Sequence, residues 1–362
     1  MSRSGRSVRP APPKADSFEE RVDSLFDELA FSIRSDRPSI LLVPYASEFI
    51  RADVELALRQ RLAKIDQQLI QFTAGEEQFD IPLLLSHHPD RKRAAYSILG
   101  LSRGGGKAGA NAYRALNIRR EVLVDYRIRA LFWLSGPEAR QLSRHAPDFW
   151  AFRHRVVDFS RPADINRLAE TGAGTPLRAL RAARKAARLS PEDPASWLQL
   201  GNLQLEYGLL SQALKTFERL LTLAPGNPSS WLGLGHVYRL GQRLSDAIIN
   251  YRQVMRLDPH NISGHISLIA CYRLLGLNDL AAEQMEWGGP VIEHGSEYDR
   301  ARFASICGNA SQAVELLALA LQKHQAGLNR LRHDPDLDFI RNNPRFQQLS
   351  PLPTLDPNPK VN

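Results

Sequence analysis

Hydrophobic residues follow two different periods in two parts of this chain. Apolar positions at helical spacing predict a first helix at 17–33. From residue 39 to about 159, short apolar runs alternate with helical segments at 47–64, 112–124 and 136–146. The runs are SILLVPY at 39–45, QLIQF at 68–72, AAYSILGL at 94–101, ALFWL at 130–134 and RVVDF at 155–159. This alternation predicts an α/β domain at 16–160, with a Rossmann-like or P-loop-like parallel sheet that is covered on both faces.

Beyond residue 175 only the helical spacing remains, and it repeats every 34 positions. The first set of repeated residues is Trp197, Leu200, Gly201, Ala213, Phe217 and Pro225, and the second set is Trp231, Leu234, Gly235, Ala247, Tyr251 and Pro259. The glycines and alanines occupy positions where two helices must approach closely, so a small side chain is needed there. The prolines end the second helix of each repeat. The pattern predicts two helical hairpins, at 194–227 and 228–261, which need neighbours to bury their apolar faces.

This combination of residues resembles the tetratricopeptide repeat (TPR). The resemblance implies an all-α solenoid whose concave groove binds a protein or a peptide. Departures from the pattern mark a half-repeat at 175–193, a degenerate repeat at 262–293, and a further degenerate repeat with a C-terminal cap at 294–349. In the third repeat, His265 stands at the position of the tryptophan, and Gly276 returns to the turn position of Gly208.

Three segments have no hydrophobic period. They are a basic tail at 1–15, which we predict to be disordered, a linker at 161–174 and a Pro-rich tail at 350–362.

Residues 37–160 are similar in layout to the STAND and AAA-type NTPase domains that precede TPR arrays in some bacterial proteins. The similarity rests on the order of LNIRREVL at 116–123, ALFWLS, HAPDFWAF at 145–152 and RVVDF. A phosphate-binding P-loop needs a Gly-rich turn with a lysine after the first strand, but Val43–Ser47 contains neither. The other Gly-rich stretch, Gly104–Lys107, fits a flexible surface loop better, because Ala108 replaces the hydroxyl that would bind Mg²⁺. The resemblance therefore implies an NTPase-like scaffold without a Walker A motif, with no catalytic residues and no cofactor.

No other catalytic or metal site is predicted. His87 and His88 are adjacent and have no cysteine nearby to complete a zinc site. The two cysteines, Cys271 and Cys307, lie in helical patterns and are expected to be buried and reduced. No run of about 18 apolar residues predicts a membrane span, and the basic start lacks the apolar segment of a secretory signal. We therefore expect a cytoplasmic protein, bacterial by its resemblance.

The formal net charge of +8 raises nucleic-acid binding as one alternative. Much of the excess lies in the N-terminal tail and in one helix, at Arg178, Arg181, Arg184, Lys185 and Arg188. Neither group has aromatic residues beside it for stacking on bases, so a solvated helix face is the favoured interpretation.

The TPR resemblance also indicates which residues face the groove. They are Gln199, Asn202, Glu206, His236, Arg239, Arg273 and Arg302. Because Arg239 and Arg273 are 34 positions apart, we expect them to lie side by side, where they suit an acidic peptide or a C-terminal carboxylate. The sequence thus predicts an adaptor that binds and does not catalyse. A nucleotide-binding regulatory protein with an atypical site is the first alternative, and nucleic-acid binding is the second.

Overall fold

A computed structural model describes residues 16–168 and 176–350, which form a sheet domain followed by a helical array. The predicted tails therefore lie outside the described residues, except for Ser350, and so do residues 169–174 of the predicted linker. The five strands are β1 (Ser39–Pro44), β2 (Gln68–Thr73), β3 (Ala94–Leu99), β4 (Arg129–Leu134) and β5 (Arg155–Val156). All pair in parallel in the order β2-β3-β4-β1-β5. The predicted parallel sheet is confirmed.

Eight helices surround this sheet in the described residues. They are α1 (Phe18–Arg34), α2 (Glu48–Ala63), α3 (Ile81–Ser86), α4 (Ala110–Ile118), α5 (Arg120–Asp125), α6 (Gly136–His145), α7 (Pro147–Phe152) and α8 (Pro162–Ile165). Short 3₁₀ turns occupy Leu101–Arg103, Lys107–Gly109 and Asn166–Leu168. Helix α1 begins with a complete capping box between Ser17 and Glu20, as their spacing requires.

Alternate residues of the central strands enter two separate cores. Leu41, Val43 and Trp133 pack against α1 and α2, whereas Leu42 and Phe132 pack against the helices of the opposite face. This is the period-two alternation of a strand that is covered on both sides.

Three local predictions for this domain need correction. The predicted helix at 112–124 is two helices, α4 and α5, separated at Arg119. The Gly-rich stretch is only partly a surface loop: Gly106 and Lys107 are exposed, but Gly104 and Gly105 are buried. A Cβ on Gly104 would lie 2.3 Å from that of Ala112. The last strand is limited to β5, with one further bridge between Tyr45 and Phe159.

The array begins with one helix and continues as hairpins. Its helices are α9 (Pro176–Leu189), α10 (Pro194–Glu206), α11 (Leu210–Leu223), α12 (Pro228–Leu240), α13 (Leu244–Leu257), α14 (Ile262–Leu274), α15 (Asn278–Glu293), α16 (Glu297–Ile306) and α17 (Ala310–Gln322). The C-terminal segment holds α18 (Leu328–His333), a 3₁₀ turn at Pro335–Ile340 and α19 (Pro344–Leu349). Helices α10, α12, α14 and α16 contact one another along the inner side of the array.

The first large residue of each repeat is fixed by the proline that ends the previous one. The indole N–H of Trp197 donates to the carbonyl of Pro191, and that of Trp231 donates to the carbonyl of Pro225, both at 2.9 Å. In the third repeat, Nε2 of His265 lies 2.9 Å from the carbonyl of Pro259. Histidine can replace tryptophan here because it also presents a ring N–H.

The turn glycines confirm a conformational requirement that glycine meets best. Gly208 and Gly276 have positive φ angles of 63° and 71°. At the same place in the second repeat, Gln242 adopts a φ of 57°, which is less favourable for a residue that carries a Cβ.

One expectation about the array is wrong: Cys271 is buried, but Cys307 is exposed.

Glycines inside the hairpins permit aromatic rings to reach the helix backbone. A Cβ on Gly235 would lie 2.3 Å from the ring of Tyr251. Gly289 of α15, in contrast, has open space around its Cα. We predict that Gly235→Ala lowers the free energy of unfolding by about 1–3 kcal/mol, because the clash outweighs the better helix propensity of alanine. The control, Gly289→Ala, should be neutral or stabilising by up to about 1 kcal/mol. Urea denaturation would measure both, and equal effects of the two substitutions would contradict the close-packing explanation.

Candidate functional site

A cleft of about 720 Å³ lies on the inner side of the array, between the first helices of the hairpins and the C-terminal segment. Its apolar lining includes Leu198, Leu205 and Leu232. Polar groups of α10, α12 and α14 surround these leucines, at Asn202, Ser229 and Ser263. The opposite wall is formed by residues 324–327, 329–330 and 333–335. The cleft is thus a TPR-type concave surface that the chain partly covers itself.

A buried ion pair holds the C-terminal segment over the inner helices. The Asp336 side chain is 0% exposed and accepts hydrogen bonds from Arg239 of α12 and Arg302 of α16. The carboxylate lies 2.7 Å from Nη2 of Arg302. Burial opposes its ionisation, but the two guanidinium groups hold the pKa of Asp336 below its usual value. The segment is also anchored by Leu337, Ile340 and Phe346, which pack against α16 and α17.

Two of the arginines predicted to face the groove, Arg239 and Arg302, line the cleft, but both are paired within the chain. They meet on Asp336, and Arg302 also pairs with Asp299 and Asp334, so their charges are already neutralised within the chain. Arg273 does not join them: it donates to the carbonyl of Ile306 and lies 6.0 Å from the ring of Phe339. The predicted pair Arg239–Arg273 does not form a carboxylate site, because a closer acidic group, Asp336, captures Arg239.

Of the remaining predicted residues, three line the cleft and one does not. Asn202 and Glu206 line the cleft, whereas Gln199 is exposed and is not part of its lining. His236 lines the cleft and places Nδ1 2.9 Å from the hydroxyl of Tyr251. Burial and the nearby Arg302 and Arg239 lower the pKa of His236 to about 3. This histidine is therefore a neutral hydrogen-bonding group at physiological pH.

A second contact joins the array to the carboxyl edge of the sheet. The Ser47 hydroxyl donates to the carbonyl of Tyr207 at 2.6 Å, and the Glu48 N–H donates to the carbonyl of Gly208 at 2.9 Å. The N-terminus of α2, where a phosphate would bind in a P-loop protein, thus faces two backbone carbonyls. The turn between α12 and α13 also contacts the sheet domain. Arg103, which precedes the Gly-rich stretch, donates to the carbonyl of Gly241 at 3.0 Å.

The C-terminal segment also contacts the sheet domain. The ring of His333 stacks on Phe49 of α2 at 4.2 Å, and its Nε2 lies 3.1 Å from the Asp53 carboxylate. Asn329 donates to the carbonyl of Glu206 at 3.3 Å. No pattern in the sequence indicates these contacts, because they join residues that are far apart in the chain and are not related by the 34-residue period.

Metal-binding clusters and membrane-spanning helices are both absent from the described ranges, 16–168 and 176–350. There, no group of three or more His, Cys, Asp or Glu side chains could hold a metal ion. No helix within these ranges has the length and apolarity needed to cross a membrane.

Comparisons with known proteins agree with the geometry of the array. Two tetratricopeptide repeat families match the chain, one over residues 171–235 and the other over residues 228–261. Residues 171–261 contain tetratricopeptide repeats. No curated protein matches the chain as a whole or in part. The TPR prediction is therefore confirmed for this region.

Several solved structures of TPR proteins are similar to part of the chain. TTC0263, a thermophilic TPR protein of Thermus thermophilus, shares 22% identity over 45% of this chain and 91% of its own, with a TM-score of 0.36. MamA shares 20% identity over 46% and 96%, with a TM-score of 0.32. YrrB, a TPR protein with an unusual peptide-binding site, shares 17% identity over 47% and 90%, with a TM-score of 0.31.

The buried ion pair gives a prediction about stability. Asp336→Asn removes the carboxylate and leaves the buried guanidinium group of Arg239 uncompensated, whereas Arg302 keeps Asp299 and Asp334, so we expect the free energy of unfolding to fall by about 3–5 kcal/mol. Asp338→Asn is the matched control, because the Asp338 side chain is largely exposed and pairs only with Arg341 in the described part of the chain; it should cost less than about 1 kcal/mol. Guanidinium denaturation would measure both values. A loss below about 1 kcal/mol for Asp336→Asn would show that this ion pair does not hold the segment.

Proposed function

We propose that the protein is an adaptor whose TPR cleft binds a short segment of a partner protein. The observation that carries this proposal is the partly covered concave cleft, whose volume lies within the roughly 300–1,000 Å³ typical of ligand pockets. TPR solenoids present concave surfaces for binding. Here the cleft combines an apolar lining with polar groups that could orient a peptide backbone. No residue of the array is assigned a catalytic role, and we propose binding without turnover.

The electrostatics of the cleft restrict the kind of segment that fits. Leu198, Leu205 and Leu232 suit one bulky apolar side chain. Arg239 pairs with Asp336, and Arg302 pairs with Asp336, Asp334 and Asp299, so a purely acidic peptide is no longer favoured by these two arginines. Arg330 also lines the cleft, where its guanidinium group lies 4.4 Å from the centre of the Tyr298 ring. We therefore expect a partner segment that pairs an apolar residue with one acidic group near Arg330.

The sheet domain is proposed to act as a non-catalytic, NTPase-like scaffold. Support comes from the N-terminus of α2, because its Glu48 N–H and the Ser47 hydroxyl are directed at carbonyls of the array. A triphosphate at this place would have to displace the turn at Tyr207–Gly208. The domain would then position the array rather than hydrolyse a nucleotide. The expected location in the bacterial cytoplasm is part of the same proposal.

Peptide selection on the full-length chain tests the cleft. Peptides of about 12 residues would be selected from a random displayed library and titrated by fluorescence anisotropy. Asn202→Glu places a carboxylate in the cleft, where it repels the acidic group of the segment, so it should weaken binding by at least about tenfold, or about 1.4 kcal/mol. Gln199→Glu adds the same charge to the same helix outside the cleft and should change affinity by less than about twofold. Equal effects of the two substitutions would place the binding site elsewhere.

The nucleotide alternative makes the opposite prediction about the sheet domain. We expect labelled ATP with Mg²⁺ to show no saturable binding at concentrations up to about 1 mM, because the α2 N-terminus is occupied by the array. Equilibrium dialysis and a phosphate-release assay would measure binding and turnover. Micromolar affinity together with turnover would overturn the scaffold proposal and establish the regulatory ATPase.

Nucleic-acid binding is a second candidate that one observation favours. The five basic side chains of α9 are all exposed along one helix. Binding of this kind would weaken steeply as salt rises.

A further inference from the structure

Two outer helices of the array, α9 and α15, differ sharply in charge. Helix α9 carries five basic residues and no acidic residue. Helix α15 carries Asp279, Glu283, Glu286 and Glu293 and no basic residue. The two outer helices between them, α11 and α13, contain both signs. The outer side of the array is therefore positive at α9 and negative at α15.

Each of these charge groups forms a stripe along its helix. Arg178, Arg181, Lys185 and Arg188 follow one another at steps of three or four residues, and Asp279, Glu283 and Glu286 do the same, with Glu293 two turns further on. All the charged side chains of both helices are exposed. None of them forms an ion pair with another residue in the described ranges. At 1.5 Å per residue, the stripes extend about 15 Å and about 21 Å, so several pairs could form at once.

The most exposed large apolar side chains lie beside these stripes. Among the described residues, Leu189 at the end of α9 and Trp287 of α15 are each 73% exposed, more than any other large hydrophobic residue. Trp287 lies four positions after Glu283 and next to Glu286. An exposed tryptophan suits the face of a guanidinium group, and tryptophan is enriched among residues that dominate interfaces. Helix α15 thus offers both the charge and the aromatic ring that the arginines of α9 require.

We propose that a second copy of this chain binds head to tail, with the basic stripe of α9 on one copy against the acidic stripe and Trp287 of α15 on the other. One chain cannot pair its own stripes, because both face outward and α11 and α13 separate them along the array. A contact between two different surfaces of the same protein leaves one stripe open on each partner, so it continues into a ring or a filament. The inner cleft stays accessible in this arrangement.

Sedimentation velocity of the full-length chain tests the assembly. In about 25 mM salt the weight-average mass should rise at least about twofold between low and high micromolar concentrations, and in about 500 mM salt the chain should be monomeric because the charges are screened. Trp287→Ala should weaken the association by at least about fivefold. A monomer at every concentration in low salt would overturn the proposal.

Charge reversal and recombination test which surfaces are in contact. Arg181→Glu with Lys185→Glu makes α9 less basic, and Glu283→Lys with Glu286→Lys makes α15 less acidic. Each double variant alone should stay monomeric. An equimolar mixture should assemble again, because the unchanged α9 of one variant can pair with the unchanged α15 of the other. Arg59→Glu with Lys64→Glu is the control for the α9 variant. It lowers the net charge by the same amount, but at exposed positions of the sheet domain, and it should leave assembly intact. Failure of the mixture to assemble would contradict the α9–α15 contact.

The same variants distinguish the second copy from nucleic acid. Binding to a labelled single-stranded RNA of about 20 nucleotides would be measured in low salt with wild type and the α9 variant. If wild type is monomeric but binds RNA, and the α9 variant does not, then the partner of α9 is nucleic acid and self-association is excluded.

Discussion

A single buried carboxylate fixes the shape of the inner surface. Ionised Asp336 is tolerated in the interior because Arg239 and Arg302 both donate to it, and Asp336 is in turn the one ion-pair partner of Arg239 among the described residues. The three groups belong to α12, α16 and the C-terminal segment, so they bring together parts of the chain that the repeat pattern alone would leave apart. The cleft has a wall opposite the hairpins because of this interaction.

The sheet domain and the array depend on each other through backbone groups. At the carboxyl edge of the sheet, Ser47, Glu48 and Arg103 all donate to carbonyls in the first two turns of the array. Such donors are satisfied by any sequence that places a carbonyl there, so the contact requires the correct turn shape more than particular side chains. Gly208 provides that shape with its positive φ, and it also lets the turn lie close to Phe49. The edge of a parallel sheet that often binds a ligand is used here for an internal contact.

The sequence predicted local and periodic features well, and long-range ones poorly. Helices, strands and hairpins depend on neighbouring residues, so spacing alone located the strand runs and the pairs Trp197–Trp231 and Gly201–Gly235. The turn at Gln242 was also visible as a departure from Gly208. The partner of Arg239 was not predictable, because a period of 34 residues indicates which side chains are adjacent in the array but not which distant carboxylate reaches them. The contacts of His333 with Phe49 and Asp53 were missed for the same reason.

The position of α18 against α2 has a consequence for how the molecule unfolds. In an open solenoid each repeat touches only its neighbours, so terminal repeats can fray while the middle remains intact. Here the segment after the last hairpin is bound to α2 of the sheet domain, which precedes the array in the chain, through His333, Phe49 and Asp53. No repeat is then a true end. Fraying would have to break contacts in both parts of the chain, which favours cooperative unfolding of the whole over stepwise loss of single repeats.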